Sequence, residues 1–347
     1  MKEDIKKLQD AAQAEGKIIG ASKEREILEL AIAADKAVLM QGDTGIGKTY
    51  ILQQIAKEQG KRAVRVSLNG RVGIDTLVGK YLLKSKGGTE TYWQDGAVLQ
   101  CMRAGDWLIL DEMNMAEADV LACLNSIMDD GHCITVAEKD GEVVHPAPGF
   151  RVFACINPNE GYAGTRELNA ALVSRFPIVM NMTYPAPAVE LEILKYQSGI
   201  PDTTARVMVD IGNAMRKAKR DGVLSYCPGT RDLVSWARIA ALNGMTLGET
   251  FTYTIVNRAP AEDRDAIRGL FKTACAIELS PGCRVGDVEK LTDIIAVDIA
   301  KMEEQRKRLA EELEHLASSV KTAQATAAEV PAGRIKVSRN VPPRKVA

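Results

Sequence analysis

The chain has 347 residues with 45 basic against 46 acidic groups, a net charge of −1, so no global field draws it toward nucleic acid or an anionic membrane and any such contact must be local. Its length exceeds a minimal core and suits two modules plus a tail. Seven scattered cysteines with no CxxC pair, and only three histidines, argue for reduced, mostly buried thiols in a cytoplasmic protein rather than a disulfide framework or zinc site. No apolar run approaches the ~18 residues of a spanning helix, and the opening residues lack a signal-peptide core.

In chain order, residues 1–19 read as a short polar helix and 23–34 as an amphipathic one. "AVLMQG" (37–42) is a strand ending in glycine, followed by a loop and a helical pattern from Lys48 to about Gln59. The alternation continues with strands at 63–69, 107–112, 151–157 and "PIVMNM", and helices at 117–130 and "RELNAALVS". Near-continuous apolar strands alternating with helices predict an α/β fold whose parallel sheet is covered on both faces. Two stretches interrupt it. Residues 70–96 are glycine-rich and carry Tyr81, Tyr92 and Trp93, and 132–148 read as a hairpin turning at Lys139, Asp140 and Gly141. Both hang off the scaffold and are expected working surfaces. After Tyr184 the strand signal fades, and successive helical patterns punctuated by Pro and Gly predict a smaller helical domain over 185–290, bounded by the "YPAP" segment. Over 291–322, Ile295, Ile299, Met302, Leu309, Leu313, Leu316 and Val320 follow a heptad interrupted at Arg306, which suits a docking helix as well as a coiled coil. Residues 323–347, with five basic and no acidic groups among the last 17, read as a basic disordered tail.

The chemistry concentrates in "GDTGIGKT", which is Gly42, Asp43, Thr44, Gly45, Ile46, Gly47, Lys48 and Thr49. It matches G-x-x-x-x-G-K-[ST] between a predicted strand and helix, the context that motif needs. The glycines let backbone N–H groups converge on an anion at a helix N-terminus, Lys48 reaches the β/γ-phosphates, and the Thr49 hydroxyl faces Mg²⁺. "WLILDE" delivers Asp111 to a strand end, where it would hold the magnesium through water, with Glu112 as general base for the attacking water. The bland alternative is a carboxylate pair capping the next helix. "FACINP" places Asn157 at the end of a third strand, where its amide could orient that water. Together these motifs point to hydrolysis of a nucleotide of the ATP type.

Arg175 in "LVSRFPIVM" precedes its strand, so it is expected at the opposite end of the sheet from Lys48, where it can reach only a phosphate presented by a second subunit. Such a trans arginine contributes about 10³ to 10⁵ in rate. "GDTGIGKT", "LILDEMNMA", "FACINPNEGYAGTRELNAALVSRF" and "CPGTRDLVSWA", in that order, resemble the AAA+ ATPases, and among them the MoxR-like, dynein-related branch that includes midasin and the small subunit of cobaltochelatase. The resemblance covers residues 20–245. It implies a P-loop module with a five-stranded parallel sheet over 20–184, a helical lid, and a homo-oligomeric ring, usually a hexamer, with ATP and Mg²⁺ between subunits. It further implies Asn157 as sensor 1, Arg175 as arginine finger with Arg166 as second candidate on the same predicted helix, and Arg231 of "PGTRDL" as sensor 2. The two interruptions correspond to the helix-2 insert and pre-sensor hairpin through which this branch is thought to engage substrates.

The leading expectation is an ATPase that remodels or activates a protein partner, one with a von Willebrand A-type domain being typical. Competing expectations are the ATPase subunit of a cobalt or magnesium chelatase, a McrB-like nucleic-acid motor, and a nucleotide switch whose output is assembly. Against the motor, the two loops carry few basic residues, Lys80, Lys84, Lys86 and Lys139 among them.

Overall fold

The computed structural model describes residues 17–85, 89–129, 131–158, 164–242 and 245–275, all within one unit, Met1–Glu289. Of the N-terminal helix expected over 1–19, residues 1–16 lie outside the described residues and 17–19 are not helical; the end of the lid from 276, the 291–322 helix and the basic tail also lie outside the described residues.

The elements are α1 (Ser22–Ala33), β1 (Val38–Gln41), α2 (Lys48–Glu58), β2 (Ala63–Ser67), α3 (Ile74–Leu77), β3 (Gly79–Ser85), β4 (Thr89–Asp95), α4 (Ala97–Ala104), β5 (Trp107–Asp111), α5 (Ala118–Met128), β6 (Ile134–Val136), β7 (Glu142–Val144), β8 (Arg151–Ile156), α6 (Ala170–Val173) and β9 (Ile178–Asn181), then α7 (Pro187–Ser198), α8 (Asp202–Arg220), α9 (Thr230–Ala240), α10 (Leu247–Thr254) and α11 (Arg264–Cys275). Five strands form one sheet in the order β2-β5-β8-β1-β9, and every pairing in it is parallel.

The period-two pleat sorts each central strand between two cores. Leu39, Leu108, Leu110, Val152 and Ala154 face a core closed by α3, α4 and α5, while Val38, Met40, Trp107, Ile109, Phe153 and Cys155 face one closed by α1 and α2. Such strands have no polar face, which is why they read as unbroken apolar runs. Because all five run the same way, Gln41, Ser67, Asp111 and Ile156 end at one rim, and the residues following them share that edge.

Residues 70–96 form a short helix and an antiparallel β3–β4 hairpin pairing Gly79 with Asp95 through Ser85 with Thr89, a pairing absent from the sequence reading. Tyr81 and Trp93 face each other across it at 5.1 Å. A second hairpin pairs β6 with β7, with Asp140 and Gly141 at positive φ in its turn.

The helices α7 to α11 enclose a third core, centred on Trp236, Phe251 and Phe271, with ring centroids 4.6–6.2 Å apart. Their boundaries follow local chemistry. Pro187 opens α7, and Thr246 and Glu249 form a reciprocal capping box at the start of α10. The expected helix over "RELNAALVS" is corrected: only Ala170–Val173 is helical, because the Asn169 side chain accepts from Ala171 N at 2.9 Å and caps the helix there. Arg166 therefore precedes the helix.

Candidate active site

The loop between β1 and α2 turns through Gly45 and Gly47 at φ +80° and +102°. At Gly47 an added Cβ would meet nothing within 4 Å, so glycine is required there by the left-handed backbone and not by crowding. Lys48 follows at the first turn of α2 and is buried, its ammonium donating to Gly42 O at 2.6 Å, Asp43 O at 2.9 Å and Asn157 Oδ1 at 3.0 Å. Burial pushes its pKa down, Cys155, Asp111 and Asp43 oppose the shift, and the charge of Arg231 reinforces it. An ammonium held by three neutral oxygens at a helix N-terminus is ready to exchange them for phosphate oxygens.

One strand over, Asp111 is buried at the end of β5, its Oδ2 accepting from the Thr49 hydroxyl at 3.1 Å. Its Oδ1 accepts from Glu112 N at 3.0 Å. Glu112 adopts a left-handed backbone at φ +56°, uncommon for a residue with a Cβ and frequent where a side chain must be aimed. Its Oε2 accepts from the Ser67 hydroxyl, at the end of β2, at 2.6 Å. Asn157 leaves β8 beside it, its backbone oxygen held by Asn114 Nδ2 at 2.9 Å.

The helical domain closes this rim from above. Arg231 N donates to Gly45 O at 3.0 Å, and Gly229 approaches so closely that an added Cβ would stand 2.6 Å from Thr44 O. Behind this contact lies a network of charges with no access to water. Glu190 on α7 takes both Arg216 terminal nitrogens at 2.7 Å, and its Oε1 also accepts from the Thr230 hydroxyl at 2.6 Å. Arg216 donates through Nε to Pro228 O at 3.0 Å and stacks its guanidinium 4.0 Å from the Tyr184 ring centre. The network thus ties the linker, α7, α8 and the start of α9 into one seat. A cleft of about 570 Å³ runs between the two parts, lined by Thr44–Thr49, Arg65, Asp111, Glu112, Asn157 and Arg231 at its polar end and by Ile18, Ile19, Tyr184, Val189 and Ile193 at its apolar end.

Gly42, Asp43 and all other sequence-selected residues of the loop are thus brought together with Asp111, Glu112, Asn157 and Arg231. Arg175 and Arg166 are not among the residues lining the cleft. Arg175 precedes β9 at the opposite end of the sheet, with Nε 3.0 Å from Asp129 and a terminal nitrogen donating to Ala171 O at 2.7 Å. Arg166 makes a two-pronged ion pair with Glu117 at 2.7 and 2.8 Å. Sequence reasoning missed Arg65, Ser67, Asn114, Glu190 and Arg216. The alternation of Arg65 and Ser67 in β2 was the available signal, but which strand neighbours β5 is a matter of topology.

The donor set suits a phosphate chain and a hard divalent cation. Among the described residues there is no cluster of three or more His, Cys, Asp or Glu that could form an all-protein metal cage. Mg²⁺ needs none when a carboxylate, a hydroxyl and phosphate oxygens share its shell. Thr49 and Asp111 are the residues that would hold it.

Residues 37–176 match the AAA domain of the dynein-related subfamily, and residues 190–277 match the CbbQ/NirQ/NorQ C-terminal family. The first match ends just before β9 and the second covers α7 through α11 almost entirely. The chain is 32% identical to protein NorQ of Paracoccus denitrificans over 252 residues, covering 72% of this chain and 90% of NorQ. It is 32% identical to protein CbbQ of Hydrogenophilus thermoluteolus over 201 residues, 58% of this chain and 73% of CbbQ. A 36% identical stretch of 149 residues in midasin of Giardia intestinalis covers 43% of this chain but 3% of midasin. With a glycine-rich loop at the rim of an all-parallel sheet and a C-terminal helical domain of the CbbQ/NirQ/NorQ type, the chain belongs to the MoxR-like AAA+ ATPases.

Proposed function

We propose that the chain hydrolyses ATP at interfaces between copies of itself in a ring, usually of six, and spends the cycle on remodelling or activating a protein partner. The observation that carries this reading is the convergence of Lys48, Thr49, Asp111, Glu112 and Asn157 on one rim, with Arg231 closing over the same loop. The base would sit at the apolar end of the cleft and the phosphates along Gly42–Thr49. Lys48 exchanges its backbone partners for phosphate oxygens, Glu112 takes the proton of the attacking water, and Asn157, already bonded to Lys48, senses the terminal phosphate. Mg²⁺, when bound, neutralises charge on the phosphates from Thr49 and Asp111.

Arg175 acts on the neighbour's nucleotide, since its own lies at the far rim. Its present partner, Asp129, is more than half exposed, and such pairs are weak enough to exchange when a phosphate arrives. Arg166 is the second candidate and would have to leave Glu117. The insert and hairpin expose Tyr81, Leu83, Tyr92 and Val143, the kind of apolar surface that suits a protein partner better than a phosphate backbone. That favours partner remodelling over a nucleic-acid motor, and the CbbQ/NirQ/NorQ-type helical domain supports it over a chelatase subunit. A partner with a von Willebrand A-type domain is the expected class. Among the described residues no helix is long and apolar enough to cross a membrane, and a cytoplasmic location is proposed with the function.

The test is paired. Lys48→Ala should abolish nucleotide binding, while Glu112→Gln should bind nucleotide and stop turnover. Full turnover by Glu112→Gln would remove Glu112 as the base. Tagged Glu112→Gln held in ATP should retain a nuclease-resistant protein partner, and recovery of nucleic acid whose digestion releases everything else would replace remodelling with the motor reading.

A further inference from the structure

The Asp111 oxygen that would face Mg²⁺ is already in use. Arg65, on the neighbouring strand β2, reaches Asp111 Oδ2 with both Nε and a terminal nitrogen at 2.6 Å. The Thr49 hydroxyl, the other expected magnesium ligand, donates to the same oxygen at 3.1 Å. Two guanidinium donors and a hydroxyl on one carboxylate oxygen exhaust its lone pairs, so neither a cation nor a metal-bound water can engage Oδ2 while Arg65 stays. The two carboxylate partners differ in mobility. Asp111 is fixed at a strand end with 10% of its side chain exposed, whereas the Arg65 side chain is 49% exposed and can swing toward solvent.

We propose that Arg65 is a built-in stand-in for the divalent cation, holding Asp111 Oδ2 when no metal is bound and displaced from it when the metal binds. Resting on the nucleotide-site reading above, this sets metal binding through Asp111 Oδ2 in competition with the Arg65–Asp111 pair. The pair gives a buried carboxylate a cationic partner when no metal is bound. It also sets the concentration at which Mg²⁺ enters, because each entry must break the pair. The sequence alone shows an arginine in a strand; only the β2–β5 pairing, with Arg65 opposite Ile109 and Ser67 opposite Asp111, brings its guanidinium to the carboxylate.

The experiment titrates the full-length chain, saturated with a fluorescent ADP analogue, with Mg²⁺, and repeats the titration with Mn²⁺ while counting free metal by electron paramagnetic resonance. Arg65→Gln keeps a polar side chain of similar reach and removes the charge. Its metal midpoint should fall about tenfold, the scale of one charge-assisted hydrogen bond. Its ADP affinity in excess EDTA, measured beside it, should change less than the metal midpoint does, because Arg65 is bonded to Asp111. Arg65→Lys, retaining charge without the two-donor fork, should lie between. An unchanged or raised midpoint in Arg65→Gln overturns the proposal. So does a loss of ADP affinity in EDTA matching that in Mg²⁺, which would make Arg65 a phosphate ligand. Lys48→Ala separates the two readings: if it binds ADP like the parent, or if the parent binds none, the nucleotide-site reading falls and this one with it. If it fails to bind while Arg65→Gln shows the parent's midpoint, only the Arg65 proposal falls.

Discussion

Removing the Glu190 carboxylate tests how the helical domain is seated over the phosphate loop. Glu190 is fully buried and Arg216 is 2% exposed, so Glu190→Ala strands a guanidinium out of reach of water while also orphaning the Thr230 hydroxyl at the start of α9. Breaking a buried pair from one side costs about 3–5 kcal/mol, well above the 0–1 kcal/mol of an exposed pair. That is a large share of the 5–15 kcal/mol that stabilises a domain and corresponds to a melting-temperature loss on the order of 10 °C for a unit of this size. Arg216 retains its bonds to Pro228 O and Asn213 and its contact with Tyr184, which favours the lower half of that range. Urea denaturation followed by circular dichroism gives the free energy, and fluorescent-nucleotide binding reads the seat, since Arg231 and Gly229 depend on where α9 begins. The paired replacement Glu190→Leu with Arg216→Met removes both charges and should recover most of the stability, because desolvating the pair offsets much of its attraction. A loss below about 1 kcal/mol in Glu190→Ala, or a double replacement costing as much as the two single ones summed, would refute this account of the network.

Three further outcomes follow from the site. Gly229→Ala places a Cβ 2.6 Å from Thr44 O, a backbone atom that cannot yield cheaply, and should weaken nucleotide binding about tenfold in equilibrium titration. Ser67→Ala releases the hydrogen bond that restrains Glu112 Oε2, so steady-state phosphate release should rise severalfold; a fall would mean that Ser67 positions the base instead of restraining it. Mixing Arg175→Ala with Lys48→Ala subunits should restore part of the hydrolysis that neither has alone, since a mixed interface can pair an intact loop with an intact arginine. No recovery in rings verified as mixed would remove Arg175 as a trans group.

The sheet was legible because burial on both faces imprints itself on each strand separately. "WLIL" and "VFACI" carry no polar position, and that alone distinguishes a central parallel strand from a half-wetted one. The β3–β4 hairpin was not legible, since its strands "GKYLLKS" and "TETYWQD" are largely exposed and their pairing is stabilised across the hairpin, by Tyr81 on Trp93, not by a core-facing alternation. The overlong helix at "RELNAALVS" came from reading apolar spacing without the Asn169 cap that competes with it.

By itself the sequence determined that Gly42–Thr49 join a strand to a helix and that Asp111 and Glu112 stand at the end of an apolar strand, because glycines at fixed offsets and an acidic pair after an apolar run are local statements that do not depend on distant residues. Tertiary structure decided everything that depends on which strands are neighbours. Arg65 and Ser67 lie 46 and 45 residues from the carboxylates they hold, and the Glu190–Arg216–Thr230 network joins residues 26 and 40 positions apart. Such pairs leave no periodic trace, since each member alone is an ordinary polar residue in a helix or strand. Their partnership exists only once burial has stripped water from them and left each other as the remaining hydrogen-bond partner.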